Sequence, residues 1–425
     1  MKDIIERTTC RISGEPLIPL FTLEQLHISD FIPPNEDQPE NIQKVELKMM
    51  LAPTSGLVQL AHTASPDDMY RRYWYRSGTN ATMTKELKNV AEKAAQLAHL
   101  KKGDVFLDIG CNDGTLLKFV PPEVVRVGFD PALNTFLEKE SKKHADEVIV
   151  DYFSRESYEK TRFGNQKAKV ITSIAMFYDL EDPNQFVSDV KNTLDDEGLW
   201  IVQMSYLPLM LEQLAFDNIC HEHLEYYSLT ALKYLLDQHH MSIVDCEMND
   251  VNGGSFRVYI RKNEATESFF ANAPYRDVAK MRVTQMLAYE KSLKLNQKQT
   301  YLDFFEKIKD LRDETVTFIK NERAKGKTIW GYGASTKGNT LLQWFGLDST
   351  HIEAIAERSE IKYGHRTVGT NIPIVSEAEM RKVQPDYLLI LPWHFIHEFR
   401  QRESGYLEHG GKFIVPCPTF EIIGK

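Results

Sequence analysis

The sequence predicts an α/β protein with a Rossmann-like doubly wound sheet, a small N-terminal cap before it and a second Rossmann-like domain at the C-terminal end. Three observations carry that expectation. VFLDIGCNDG at 105–114 has the form of a buried strand delivered into a glycine-punctuated turn. From 105 to about 260, strand-like and helix-like stretches alternate, the pattern of a parallel sheet covered on both faces. TIWGYGA at 328–334 then opens a second strand–turn–helix unit with its own alternation behind it.

A chain of 425 residues exceeds one ordinary core, and at about 150 residues per domain it suggests two to four. The expected division is a cap over 1–66, a central domain over 67–262, a helical linker over 263–325 and a C-terminal domain over 326–425. Hydrophobic residues at 42% and charged residues at 26% place the chain among soluble globular proteins. A net charge of −10 and a pI of about 5.8 argue against a nucleic-acid partner. No apolar run approaches the ~18 residues that span a bilayer, and MKDIIERTT lacks the apolar core of a signal peptide. The expected compartment is the cytoplasm, without membrane partners, and the expected state is a monomer or weak homodimer. Cys10, Cys111, Cys220, Cys246 and Cys417 are scattered and odd in number, so they are expected as thiols.

In chain order, Pro16, Pro19, Pro33, Pro34, Pro39 and Pro53 break residues 1–66 and leave GLVQL at 56–60 as the clearest strand. MYRRYWYRSGTN at 69–80 crowds aromatics among basic residues, and the helix that follows, MTKELKNVAEKAAQLAHL, takes Thr84 as its expected N-cap. Beyond Gly114, Leu116-Leu117-Lys118-Phe119 is expected to start a helix. Val124–Phe129, Glu147–Val150, Lys169–Ser173, Leu199–Met204 and Gly254–Ile260 are the expected further strands, with FVSDVKNTLDDEG at 186–198 as a helix. YLDFFEKIKDLRDETVTFIKNERAKG has the helical spacing of a long connector. In the last domain Ile352–Ala356, Tyr387–Leu391 and Lys412–Val415 are expected as strands.

The glycine turn carries the first chemical signal. Gly110 and Gly114 flank Cys111-Asn112-Asp113, so a ligand can lie against main chain while helix amides point at it. Asp130 closes the next strand and could accept both hydroxyls of a ribose. Such a turn also serves as a plain tight connection, and it lacks the GxGxxG spacing that seats a pyrophosphate. Asp-x-Gly-Cys-Asn-Asp-Gly resembles motif I of class I S-adenosylmethionine (SAM) methyltransferases, whose ligand has no phosphate. That resemblance implies SAM, with Asp108, Gly110, Asn112 and Gly114 in the turn, Asp130 and Pro131 after the second strand, and Asp151, Tyr152, Phe153 and Ala175 beyond.

YGASTKGNTLLQWFG, GHRTVGTNIPI, PDYLLILPWHF and GGKFIVPCP, together with HEHLEYYSL at 221–229 and NGGSFRVYI at 252–260, resemble the nucleotide-sugar C-methyltransferases. Those enzymes methylate C3 of a TDP-4-keto-6-deoxysugar, and the likeness covers essentially the whole chain. It implies a zinc-binding cap, a SAM domain and a second Rossmann-like domain. Such chemistry needs a base to remove the proton beside the ketone and a donor for the enolate oxygen. In extended chain His221 and His223 would point together and Glu222 oppositely. Histidine titrates near neutrality and suits the task. By resemblance Glu222 and His223 form the catalytic pair, with His223 as base and Glu222 orienting it or holding a sugar hydroxyl. Left to residue types alone, His221 and His223 also suit core, capping or chelating roles, although no further metal-ligand cluster lies nearby. Tyr75 matches the family's pocket tyrosine, a donor to the enolate oxygen. Tyr73 and Trp74 suit an aromatic seal between cap and SAM domain.

Three departures from the family follow. Its paired-cysteine zinc knuckles are replaced by Cys10-Arg11-Ile12-Ser13 and Leu51-Ala52-Pro53-Thr54, leaving one of four ligands, so the cap is expected to fold without metal. Cys220 stands where the family has a tyrosine, and Asp179 falls near its histidine; both are expected to line the substrate pocket. In the last domain Tyr332, Lys337 and Asn339 are expected to bind the substrate, Lys337 taking the diphosphate through its ammonium and the helix amides, a plain helix cap being the alternative. Glu357 ends a strand as an NAD-binding acid would. The expected function is SAM-dependent C-methylation, at C3, of a nucleotide-activated 4-keto-deoxysugar through an enolate. The changes at Cys220 and Asp179 add weight to the rival, an N- or O-methyltransferase on an activated sugar, without displacing C-methylation as the favoured reaction. Against a non-catalytic SAM- or nucleotide-binding protein stand the intact Glu222-His223 pair and the full motif I.

Overall fold

The computed structural model describes residues 4–37, 43–71, 74–133, 135–271 and 275–425. Pro39 and Tyr73 lie outside the described residues.

The cap has more strand than its prolines suggest. Ile18–His27 and Lys44–Leu51 pair antiparallel, Val58–Leu60 joins Lys44–Leu51, and Glu225–Tyr226 from the central domain completes a four-stranded sheet. Pro19 is tolerated because Ile18–His27 is an edge strand and Pro19 sits at its start. Two register shifts in that pairing, with Glu24 at φ 69°, break the period-2 pattern that would have revealed the strand.

Glu15 ties the two expected knuckle loops together. Its carboxylate accepts hydrogen bonds from the Thr54 and Ser55 amides, each at 2.9 Å, and from Ser13 Oγ at 2.9 Å. Cys10 Sγ faces Ser55 Oγ at 3.5 Å rather than a second thiolate. Among the described residues no three His, Cys, Asp or Glu side chains converge as metal ligands.

The central sheet is built from Val105–Ile109 (β1), Val125–Phe129 (β2), Glu147–Ile149 (β3), Ala168–Ile174 (β4), Leu194–Ser205 (β5), Met241–Asn249 (β6) and Ser255–Lys262 (β7). Their order is β6-β7-β5-β4-β1-β2-β3, with β7 antiparallel to both neighbours. The strand order reverses at β1, which lies between β2 and β4, and a crevice opens there beyond the strand ends. Several boundaries differ from the sequence expectation. Asn80, not Thr84, caps Ala81–Leu97 by accepting from the Met83 amide; the Thr84 hydroxyl bonds back to Asn80 O inside the first turn. After Gly114 only a short 3₁₀ turn forms, at Leu117–Phe119. The helix expected over 186–198 spans Pro183–Thr193, because Asp182 caps it with Pro183 in the first turn and the chain is extended from Leu194 on.

The C-terminal sheet orders Ile374–Ser376, Ile355–Glu357, Ile329–Tyr332, Tyr387–Ile390 and Lys412–Val415 in parallel, with Glu421–Ile423 antiparallel at the edge. Among the described residues, two long helices between the sheets, Arg276–Ser292 and Lys298–Ala324, follow the short helix Thr266–Ala271. Arg276–Ser292 lies on β6, where Arg282 holds Asp245, and its Glu290 carboxylate accepts from the Leu229 and Thr230 amides at 2.5 and 2.8 Å. Lys298–Ala324 packs on the cap, where Phe305 stacks on Phe21 at 4.6 Å. The cap also pairs Phe31–Ile32 with Arg366–Thr367, and His27 and Gln343 exchange hydrogen bonds of 2.8 and 3.1 Å. No helix among the described residues is long and apolar enough to cross a membrane.

Burial alone would raise the Glu15 carboxyl, but the hydrogen bonds from Thr54, Ser55 and Ser13 outweigh it and hold the carboxyl below its ordinary 4.5. A depressed carboxyl contributes stability above its unfolded pKa and loses it as pH falls through the folded value. Glu15→Gln is therefore expected to lower stability by about 1 kcal/mol at pH 7, after discounting for solvent screening, and to match the wild type at strongly acidic pH. Denaturant titrations at both pH values check this, and elemental analysis should find far less than one zinc per chain.

Candidate active site

A cavity of about 470 Å³ lies at the β1 switch point, between the central and C-terminal domains. One end is the glycine turn. Gly110 has φ +78° and a Cβ there would meet Met176 Cγ at 3.1 Å, so both backbone and space require glycine. Asn112, itself left-handed at φ 49°, accepts from the Ser77 amide at 3.0 Å and donates to Tyr75 O at 3.0 Å. Asp113 accepts from the Gly78 amide at 2.8 Å. The CNDG turn thus clamps the 75–78 segment over the cavity.

Asp130 accepts from the Asn112 and Ala132 amides, each at 2.9 Å; burial pushes its carboxyl up and those bonds oppose the rise. Burial lifts Asp108 to about 7, with Thr172 Oγ1 at 2.6 Å opposing and the Asp130 charge adding. Pro131, Asp151, Tyr152, Phe153 and Ala175 line the same end with Asp108, Gly110, Asn112 and Asp130. Gly114 does not; its open Cα side faces the Ser141 main chain, where a Cβ would sit 2.7 Å from Cα. This end fits SAM: glycine leaves room beside the main chain, carboxylates face the space, and Tyr152 and Phe153 provide apolar wall.

The other end is set by the turn after Phe216–Asn218. Here the chain is not extended, since His223 N donates back to Cys220 O at 3.1 Å, and the expected side-chain alternation fails. His221 leaves the cavity and bonds Val45 O of the cap through Nε2 at 3.0 Å, while Glu222 and His223 both line the cavity. His223 Nδ1 lies 2.9 Å from Asn218 O. A carbonyl only accepts, so Nδ1 carries the proton and Nε2 the lone pair. Burial, then the Lys337 charge, pushes the imidazole well below the ordinary histidine range, so it is a neutral base with Tyr178 packed on its ring at 4.2 Å. Glu222 does not orient it. Its Oε2 accepts from Thr336 Oγ1 of the C-terminal domain at 3.1 Å, and burial lifts its carboxyl to about 7 against the opposing pull of Thr336 and Lys337.

Tyr75 is 41% exposed, its ring open to the cavity though surrounded by protein; burial and the Asp113 charge keep its phenol protonated. Asp179 also lines the cavity with its Oδ1 unpartnered, and burial beside Glu222 and Glu225 raises its carboxyl well above the usual range. Cys220 does not line it; the thiol is buried behind the turn.

From the C-terminal domain, Lys337 lines the cavity and its Nζ donates to Asn218 Oδ1 at 2.6 Å. Two expected substrate residues are elsewhere. Tyr332 is buried in its own sheet, its hydroxyl shared by Glu377 and Glu403 at 2.8 and 2.7 Å. Asn339, two positions past Lys337 and hence on another helix face, is buried beside Thr370. Glu357 accepts from the Ala334, Arg358 and Ser359 amides at 2.7, 2.8 and 2.8 Å, joining the glycine turn to the loop that follows its own strand. Sequence reasoning missed Tyr178, Asp217, Asn218 and His394. Asp217 and Asn218 directly precede the HEH motif and His394 lies within PDYLLILPWHF, so adjacency was the available signal.

Residues 79–244 match the family model described as a methyltransferase domain, and residues 250–418 the one described as a C-methyltransferase C-terminal domain. C-methyltransferase NovU of Streptomyces niveus is 28% identical over 428 residues, spanning 100% of this chain and 99% of that protein. Two solved structures overlap more slightly. A SAM-dependent methyltransferase from Clostridium acetobutylicum has 12% identity and a TM-score of 0.34, covering 42% of this chain and 92% of that one. The N-methyltransferase NodS from Bradyrhizobium japonicum has 11% identity and a TM-score of 0.32, covering 43% and 98%. The chain has the class I SAM methyltransferase fold with a second C-terminal domain, and it is a SAM-dependent methyltransferase homologous to C-methyltransferases.

If Asp130 receives the ribose hydroxyls, Asp130→Ala should weaken S-adenosylhomocysteine binding by about 1.5–3 kcal/mol, the range for hydrogen bonds to a charged group. Calorimetry on the variant measures it, and unchanged affinity would remove Asp130 from the cofactor site.

Proposed function

We propose that the chain methylates the carbon beside the ketone, C3, of a nucleotide-activated 4-keto-deoxysugar, with His223 as the base that forms the enolate. The observation that carries this reading is the neutral His223 imidazole, with its Nε2 lone pair left free by the Nδ1 contact to Asn218 O, on the wall of a cavity that also holds the glycine turn. SAM, when bound, supplies an electrophilic methyl group on a sulfonium.

The protein's own groups divide the remaining work. Tyr75 keeps its proton and can donate to the oxygen that gains charge. Glu222, near 7, can hold a proton or accept from a sugar hydroxyl, and its contact to Thr336 fixes it from the opposite domain. The expected grip of Lys337 on a diphosphate is revised. Its ammonium is engaged by Asn218 among Asp179, Asp217 and Glu222, so an anionic group is better received by the first-turn amides of Thr336–Phe345. That helix start also borders a side passage of about 70 Å³ walled by Trp74, Phe31 and Lys362.

One observation favours the second reading, methylation of nitrogen or oxygen. The unpartnered Asp179 oxygen could orient an amine or hydroxyl acceptor, which needs alignment more than early deprotonation. Isotope exchange separates the two. With TDP-4-keto-6-deoxyglucose, S-adenosylhomocysteine and deuterium oxide, the wild type is expected to exchange the proton at C3. His223→Ala should lower that exchange, and turnover, by about 10²–10⁴ while S-adenosylhomocysteine still binds. Methylation of a C3-deuterated substrate with full retention of the label would transfer the assignment to oxygen or nitrogen.

A further inference from the structure

Asn218 is buried where three parts of the molecule meet. Its main-chain carbonyl accepts from His223 Nδ1 at 2.9 Å and from the Tyr226 hydroxyl at 3.4 Å. Its side-chain Oδ1 accepts from Lys337 Nζ at 2.6 Å and from Ser205 Oγ, at the end of β5, at 3.4 Å. Its Nδ2 donates to Ala215 O at 3.1 Å. Every side-chain contact agrees on which end is oxygen and which nitrogen, so the amide has one orientation. A single residue therefore holds the imidazole with its backbone and, with its side chain, the one lysine that lines the cavity among the described residues.

We propose that Asn218 is the positioning residue of His223: its main-chain carbonyl sets the imidazole tautomer, and its side chain places Lys337 of the C-terminal domain to oppose a second proton on the ring. The carbonyl keeps the proton on Nδ1. The amide oxygen holds the ammonium near enough to oppose a second proton on the ring, an effect that adds to burial. The groups around the imidazole do not supply this. Cys220 and Glu222 share its turn, Tyr178 packs on its ring, and Asp179 from the loop after β4 and His394 from the second domain line the same cavity, His394 itself neutral through burial and the same lysine. Those that can ionise would become anions and draw a proton onto the ring; only Lys337 repels one. The inference rests on His223 as the base for its catalytic meaning, but not for its test.

That test needs no substrate. Protein carrying ¹⁵N-labelled histidine, with the His223 signals identified among the 13 histidines by their loss in His223→Gln, reports tautomer and titration directly. Wild-type His223 is expected as the neutral Nδ1–H form, titrating below ordinary histidine. Lys337→Met removes the charge and its hydrogen bond to the Asn218 side chain while leaving the Asn218 carbonyl in place, and the His223 titration should move upward, though not to its ordinary value because burial remains. Asn218→Ala should move it the same way by releasing the lysine, and the double variant should move it no further than the larger single shift. A His223 carrying its proton on Nε2, a titration unmoved by Lys337→Met, or additive shifts in the double variant would each overturn the proposal. Retained S-adenosylhomocysteine binding certifies that a variant is folded. Isotope exchange at the substrate carbon, by contrast, tests only whether His223 is the base.

Discussion

The site depends on one contact: the start of the Thr336–Phe345 helix pressed against the turn at 216–223. Two hydrogen bonds cross that seam, Thr336 to Glu222 and Lys337 to Asn218, and both join buried or half-buried groups. Separated, Glu222, Asp217 and Asp179 would share a water-filled groove and ionise as ordinary carboxylates. Pressed together, they lie in a poorly solvated space with one lysine, and burial raises all three. The unusual acid–base character of the cavity is thus a property of the seam between domains rather than of either alone.

The same logic explains why the N-terminal cap is integral. It supplies the strand that pairs with Glu225–Tyr226, immediately beyond His223, and the carbonyl of Val45 that draws His221 out of the cavity. A turn carrying two histidines and a glutamate could present several faces. The cap selects the one in which Glu222 and His223 point inward.

Much of this was legible in the sequence. The glycine turn, the carboxylate after β2 and the second strand–turn–helix unit are local patterns, and local patterns reach the eye through spacing alone. What escaped depends on long-range or irregular geometry. The alternation rule placed His221 beside His223 because it assumed extended chain, and a turn stood there instead. Tyr332 and Asn339 share a motif with Lys337, yet strand and helix geometry send them to other faces. Asn218 acts through its main-chain carbonyl and through a lysine 119 positions away, so its residue type carried no sign of the role. The cap strand Ile18–His27 was hidden by its own bulges.

His27 and Gln343 clasp each other across 316 positions, and Phe31–Ile32 finds its partner only at Arg366–Thr367. As the polypeptide emerges from the ribosome, the cap is made well before the segments that complete its pairing. Throughout that interval its apolar strands remain open edges at risk of joining a wrong neighbour. Nascent chains stalled before residue 343 should then be the form of this protein most in need of a chaperone.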